Sequence, residues 1–177
     1  MRILLIFIFT YMLTNTLYSQ ESFYDLTLNS IDGDSIDFNQ FKGKKVLIVN
    51  VASKCGFTPQ YKGLEELQKT FKDELIVLGV PCNQFGGQEP KNESEIKEFC
   101  SMNYGISFLM SEKIDVKGEN QHNLYKWLTK KKLNLNQDSS VKWNFQKYLV
   151  GADGSLIDFF YSTTGPNSSK IRSLIKQ

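Results

Sequence analysis

The chain has 177 residues, enough for one domain with a substantial core after removal of a leader. Its 21 lysines and arginines nearly balance its 19 acidic residues, so no broad positive field is available to hold nucleic acid. Arg2 and Arg172 are the only arginines, and lysine lacks the planar fork that grips a carboxylate at two points. The composition therefore excludes a nucleic-acid-binding protein and favours a small-molecule or transient protein partner.

Residues 1–20 have the pattern of a secretory signal peptide. A cationic start, Met1-Arg2, precedes an apolar stretch and then small or polar residues. The apolar part is shorter than the about 20 residues that span a membrane, and an uncleaved anchor is the alternative. We predict cleavage near Ser19-Gln20, which gives a signal peptide over 1–19 and a single exported domain over 20–177, periplasmic or secreted and without stable membrane contact.

The first half of the mature chain predicts a hairpin followed by a strand, a helix and a strand. Residues 23–28 and 35–38 flank an Asp-Gly pair, which is a hairpin signal. Residues 46–51 form an apolar, β-branched run typical of a strand buried on both faces. Thr58-Pro59 predicts the N-cap and first residue of a helix, and the second buried strand over 75–80 completes a right-handed parallel crossover.

The second half predicts helices over 93–103 and 120–132, strands over 146–150 and 155–161 joined by an Asp-Gly turn, and a last helix over 168–176. A βαβ half is thus followed by a ββα half. The predicted fold class is α/β: a thioredoxin-like fold with a mixed central sheet flanked by helices and an N-terminal β-hairpin.

Cys55 is the candidate nucleophile because of its place among these elements. It follows a buried strand and precedes a helix by a few residues, so the positive end of that helix favours a thiolate. The loop lies at the carboxyl end of a parallel strand, where open α/β sheets place their sites. Lys54 either adds positive potential or points to solvent. The alternative for Cys55 is a small buried hydrophobic residue.

Other cysteine chemistries lack their partners in this sequence. His122 is the only histidine, and its place at the polar start of a predicted helix favours a solvated surface residue over a catalytic base. The three cysteines have no close pair, so no zinc or other metal site is predicted. Thr58 stands where a two-cysteine redox motif needs its second cysteine. A reactive thiol without a histidine base, within reach of a small oxidant, suits peroxide reduction.

Three separated segments resemble signatures of the glutathione peroxidase family: NVASKCGFT at 50–58, GVPCNQFGGQEP at 79–90 and KWNF at 142–145. Some members similar to this chain carry selenocysteine at the position of Cys55. The resemblance runs from about Phe23 to the C-terminus. It implies a hydroperoxide substrate, no bound cofactor, and a thiol reductant acting as co-substrate.

The resemblance also assigns residues. It implies a catalytic group made of Cys55, Gln88, Trp143 and Asn144, whose amide and indole donors stabilise a thiolate without titrating themselves. Cys100 occupies the position of the resolving cysteine in thioredoxin-dependent members; the alternative is a core-facing helical cysteine. Cys82 lies inside the second signature and is interpreted as buried structure. The additional loop of oligomeric members is absent between Trp127 and Trp143, which predicts a monomer.

The expected reaction has two thiol steps. The Cys55 thiolate attacks a peroxide oxygen, releases water or an alcohol and becomes a sulfenic acid, which Cys100 converts to a disulfide. If the two α-carbons start more than about 7 Å apart, the helix carrying Cys100 must partly unwind. The scarcity of arginine favours a thioredoxin-like donor over glutathione, which has two carboxylates. A peroxide sensor that passes its disulfide to a partner protein, a non-catalytic thioredoxin-like binding module and a protein thiol–disulfide oxidoreductase are the alternatives.

Overall fold

The computed structural model of this chain describes residues 22–177. The predicted signal peptide over 1–19 lies outside the described residues, and its cleavage stays a prediction. Within 22–177, none of the helices combines the length and the apolar character that crossing a bilayer requires.

The described chain opens with a short hairpin made of β1 (Thr27–Asn29) and β2 (Ser35–Asp37), which pair antiparallel as predicted. The first strand begins later than the sequence predicted, because Phe23–Asp25 form a turn of 3-10 helix. Ser22 and Asp25 stabilise this turn through a reciprocal capping box, in which each side chain accepts a backbone N–H.

In the described part of the chain, five further strands form the central sheet: β3 (Lys45–Val51), β4 (Leu75–Pro81), β5 (Leu109–Met110), β6 (Lys147–Val150) and β7 (Leu156–Phe160). Their spatial order is β5-β4-β3-β6-β7. The pairs β3–β4 and β4–β5 are parallel, whereas β3–β6 and β6–β7 are antiparallel. The sheet is therefore mixed, and the apolar run predicted as a central strand lies at its middle.

Among residues 22–177, five helices cover the sheet: α1 (Gln60–Thr70), α2 (Glu93–Tyr104), α3 (Asn123–Thr129), α4 (Lys131–Asn134) and α5 (Ser169–Lys176). Side chains of β3 alternate between two hydrophobic clusters, as the pleat of a strand requires. Val46 and Ile48 pack with the hairpin and α3, whereas Leu47 and Val49 pack with α1, α2 and α5. Helices on both faces of the sheet explain why β3 is apolar at nearly every position.

The single helix predicted over 120–132 is wrong in its extent, since the structure divides this segment into α3 and α4. The Nδ2 of Asn134 donates to the carbonyl oxygens of Trp127 and Leu128 at 3.0 and 3.3 Å, which satisfies acceptors at the end of α3. The Oδ1 of Asp138 accepts the N–H of Lys131 at 2.9 Å and so stabilises a new helix start.

Candidate active site

The loop that carries Cys55 is held by the side chain of Thr58, for which the sequence predicted a different role. Thr58 was predicted as the N-cap of the helix, but α1 begins at Gln60, and Pro59 at the cap position makes no side-chain hydrogen bond. The Oγ1 of Thr58 instead accepts the N–H of Cys55 at 3.0 Å and donates to the carbonyl of Ala52 at 2.8 Å. The threonine therefore fixes the backbone of the nucleophile, and α1 begins without a side-chain cap.

The sulfur of Cys55 lies just below the surface, with the residue 7% exposed. The N–H of Phe57 points at this sulfur at 3.4 Å, and a donor in that position stabilises negative charge developing there. Lys54 is exposed next to it, so its ammonium adds only screened positive potential. The thiol is free.

Gln88 and Asn144, predicted from two separate signatures, are hydrogen-bonded to each other. The Nδ2 of Asn144 donates to the Oε1 of Gln88 at 3.0 Å. The backbone of Gln88 is also tied to the cysteine loop, because its carbonyl accepts the N–H of Lys54 at 3.0 Å. Since the Oε1 of Gln88 is occupied by Asn144, its Nε2 is the end left to donate toward a thiolate or a peroxide.

Trp143 is 40% exposed, which is unusual for a large aromatic side chain and argues against simple core packing. Its indole lies 5.8 Å from the ring of Phe85, measured between centroids. Its carbonyl accepts the Nδ2 of Asn50 at 3.0 Å, and Asn50 stands near the end of β3, a few residues before Cys55. The structure thus brings the segments of all three signatures together, while the catalytic roles of these residues stay predictions.

Cys100 lies on α2 with 2% of its surface exposed and packs in the same hydrophobic cluster as Cys55. Burial raises the pKa of Cys100 to about 11, the nearby Tyr61 hydroxyl lowers it in part, and the charge of Glu89 raises it further. A cavity of about 310 Å³ lies beside α2, and Cys100 contributes to its wall. Both cysteines are free thiols in this structure.

A buried carboxyl group beside these residues was missed by the sequence analysis. Glu89 is fully buried, and its Oε2 accepts the hydroxyl of Ser53 at 2.8 Å. Its Oε1 has no hydrogen-bond partner among residues 22–177, and burial raises the pKa of this carboxyl group. The signal available was its position between Gln88 and Pro90 in the second signature, but an acidic residue in a polar loop is normally solvated.

Two further sequence interpretations have clear outcomes. Cys82 is fully buried, as predicted, and burial raises the pKa of its thiol. His122 was predicted to be a solvated surface residue, but it is half-buried. It is the N-cap of α3, and its Nδ1 accepts the N–H of Leu124 at 3.2 Å. This capping bond explains why the histidine stands at a helix start without any part in the site.

Comparisons with known proteins show the family of this chain. The glutathione peroxidase family model matches residues 23–129. Glutathione peroxidase-like peroxiredoxin 2 of Saccharomyces cerevisiae is 50% identical over 159 residues, covering 88% of this chain and 98% of that protein. The chain belongs to the glutathione peroxidase family. The predicted peroxidase activity class is confirmed by these relatives. The hydroperoxy fatty acid reductase gpx1 of Synechocystis is 42% identical over 158 residues, covering 86% of this chain and 94% of that protein.

Solved structures confirm the predicted thioredoxin-like fold. The crystal structure of Trgpx in its apo form matches with a TM-score of 0.68 and 44% identity, covering 90% of this chain and 98% of that one. A thiol:disulfide interchange protein of the thioredoxin family from Chlorobium tepidum matches with a TM-score of 0.60 and 16% identity, covering 84% and 88%. At that identity the second likeness shows the shared fold alone.

Proposed function

We propose that this glutathione peroxidase family member reduces hydrogen peroxide and organic hydroperoxides, including lipid hydroperoxides, through Cys55 and Cys100. The Cys55 thiolate attacks one peroxide oxygen, the O–O bond breaks, and the leaving oxygen takes a proton to become water or an alcohol. Cys55 then carries a sulfenic acid. The observation that carries this proposal is the Cys55 thiol on a loop tied to the Gln88–Asn144 amide pair.

In the second step the Cys100 thiol gives up its proton and attacks the sulfenic sulfur. The S–O bond breaks, the hydroxyl leaves as water, and a Cys55–Cys100 disulfide remains. Cys100 supports this role by sharing the core cluster of Cys55, but its buried thiol is protonated near neutral pH. We therefore expect the last turns of α2 to open first, which exposes Cys100 and removes the burial that raises its pKa.

A thioredoxin-like dithiol protein is the proposed reductant. Arg172, the single arginine among residues 22–177, lies with its guanidinium 5.1 Å from the ring of Phe71, just beyond the end of α1. Cys55 precedes the opposite end of that helix, so no described guanidinium is near it to hold the carboxylates of glutathione. The exposed aromatic side chains of Trp143 and Tyr161 offer the apolar contact that a protein partner uses.

The test is peroxide consumption by the purified protein with reduced thioredoxin or glutathione as donor. Cys55→Ser is expected to abolish turnover, and Cys100→Ser to abolish turnover with thioredoxin while leaving one peroxide-dependent oxidation of Cys55. Cys82→Ser is the matched control, since Cys82 is an equally buried cysteine outside the proposed mechanism. Activity that survives Cys55→Ser would refute the proposal.

Peptide mapping after one equivalent of peroxide is expected to find the Cys55–Cys100 disulfide, and its absence would remove Cys100 from the mechanism. Oxidation that stops after one turnover despite excess reduced thioredoxin would favour the peroxide sensor. Export as a monomer remains part of the proposal. It is tested by sizing the mature protein recovered from the exported fraction.

A further inference from the structure

Lys147 is a fully buried lysine with no acidic partner in the described part of the chain. It is the first residue of β6, and no carboxylate of residues 22–177 lies within 4.0 Å of its Nζ. Its Nζ donates to the Oε1 of Gln60 at 2.6 Å and to the carbonyl of Phe145 at 2.7 Å. Burial of an ammonium without a counter-charge is costly, and it lowers the pKa of Lys147 to about 7.

The carbonyl that Lys147 binds belongs to a strained residue beside the proposed catalytic group. Phe145 has a φ of 64°, a left-handed conformation that a bulky side chain adopts only when its surroundings impose it. Its N–H donates to the carbonyl of Asn50 at 2.6 Å, and Lys147 holds its carbonyl from the other side. These two contacts fix the backbone immediately after Asn144.

A second route connects the same ammonium to Asn144 through side chains. The Nε2 of Gln60 donates to the carbonyl of Ser162 at 2.7 Å, and the Oγ of Ser162 donates to the carbonyl of Asn144 at 2.6 Å. Because an ammonium can only donate, Lys147 must face the Oε1 of Gln60, and this directs the Nε2 toward Ser162. Asn144 in turn donates to Gln88 at 3.0 Å, so the chain of bonds ends on the proposed catalytic pair.

We infer that Lys147 is a positioning residue for the peroxide step, which holds Asn144 and, through it, Gln88 in the geometry that meets the Cys55 sulfur and the peroxide. The inference rests on the proposed function. A methionine of similar length would fill the same space but donate neither bond. The left-handed turn at Phe145 and the orientation of Gln60 would then both be released.

The experiment measures the first step alone, with every variant in a Cys100→Ser background so that oxidation stops at Cys55. The second-order rate constant for oxidation by hydrogen peroxide is followed by rapid quenching and intact mass for the parent, Lys147→Met, Asn144→Ala and the double variant. Lys147→Met is expected to slow the step by about tenfold. The double variant is expected to match Asn144→Ala within about twofold, since Lys147 acts through a side chain that is no longer there.

Lys45→Met is the matched control. Lys45 is another lysine at the start of a sheet strand whose Nζ donates to a backbone carbonyl, that of Ile175 at 2.8 Å, away from the site. It is expected to keep the parent rate. If Lys147→Met does not fold, Ser162→Ala takes its place in the same cycle, because it removes one link to Asn144 and leaves the ammonium paired.

The inference is overturned if the effects of Lys147→Met and Asn144→Ala multiply, because independent losses indicate a general structural role. It is also overturned if either single variant keeps the parent rate. Failure of the proposed function has a different signature, since Cys55 would then not be oxidised at a useful rate even in the parent.

Discussion

Opening of α2 before disulfide formation can be tested at one residue, Gly105. This glycine caps α2 with a φ of 58°, and its N–H bonds the carbonyls of Cys100 and Ser101. A Cβ added there meets no atom within 4 Å, so Gly105→Ala changes only the cost of the left-handed backbone. That cost is about 1 kcal/mol for an L-residue, and it falls on the helical turn that holds Cys100.

The magnitude follows from a pre-equilibrium. If α2 opens reversibly before Cys100 attacks, destabilising its last turn by about 1 kcal/mol raises the open population about fivefold. The rate of conversion of the Cys55 sulfenic acid to the disulfide should rise by the same factor, while the preceding oxidation of Cys55 stays unchanged. Acid quenching after one equivalent of peroxide, followed by intact mass and peptide mapping, separates the two steps.

The control is Gly43→Ala. Gly43 has a φ of 81°, its added Cβ also meets no atom within 4 Å, and it lies before β3, outside α2. Both variants should lose similar global stability, but only Gly105→Ala should accelerate disulfide formation. An unchanged rate in Gly105→Ala, or an equal acceleration in Gly43→Ala, would show that the attack of Cys100 does not wait for α2 to open.

Three further predictions concern buried titratable groups. The free energy of unfolding of the wild type, relative to that of Lys147→Met, should rise by up to about 1.4 kcal/mol per pH unit above about pH 7 and level off near pH 10.5. The reason is that between these pH values the lysine is protonated in the unfolded chain and neutral in the folded one. A difference in urea titrations that does not change with pH contradicts this prediction. Ser53→Ala should lower the free energy of unfolding by about 1–3 kcal/mol, since Glu89 loses the hydroxyl that donates to it. Unchanged urea denaturation would count against a contribution of the Ser53–Glu89 hydrogen bond to stability. Iodoacetamide near neutral pH should label Cys55 well before Cys100, whose pKa burial raises to about 11; equal labelling in peptide maps would show that Cys100 is not protected.

The sheet and most helices could be predicted because their signals are local. The apolar runs at 46–51 and 75–80 leave little choice but buried strands, and the structure places β3 and β4 there. β5 could not be found, since a strand of two residues has no periodicity and forms only because Leu109 meets Leu78. The break between α3 and α4 depends on Asn134 folding back onto carbonyls of the preceding helix, and no sequence pattern records such a contact.

The sequence predicted the proposed catalytic residues of the candidate site, but it did not predict the residues that hold them in position. Cys55, Gln88 and Asn144 came from motifs, whereas the residues that hold them stand outside those motifs or have other expected tasks. Thr58 looked like a helix cap because threonine before proline usually is one, yet the tertiary fold uses its hydroxyl to fix the Cys55 backbone. Lys147 lay in a predicted strand next to apolar residues, and only the structure shows that its ammonium is buried and bound to carbonyl and amide oxygens.

Two adjacent residues connect the two halves of the proposed reaction. Gln88 accepts a hydrogen bond from Asn144, in the group that we propose meets the peroxide. Glu89 bonds Ser53, two residues before Cys55, and its charge raises the pKa of Cys100. If Cys100 moves out of the core as we propose, it would leave this unfavourable charge as well as its burial, and both changes would favour the thiolate that attacks. Burial first, and the charge of Glu89 in addition, thus keep Cys100 protonated while α2 is closed, and in the proposed mechanism release from the core would remove both effects.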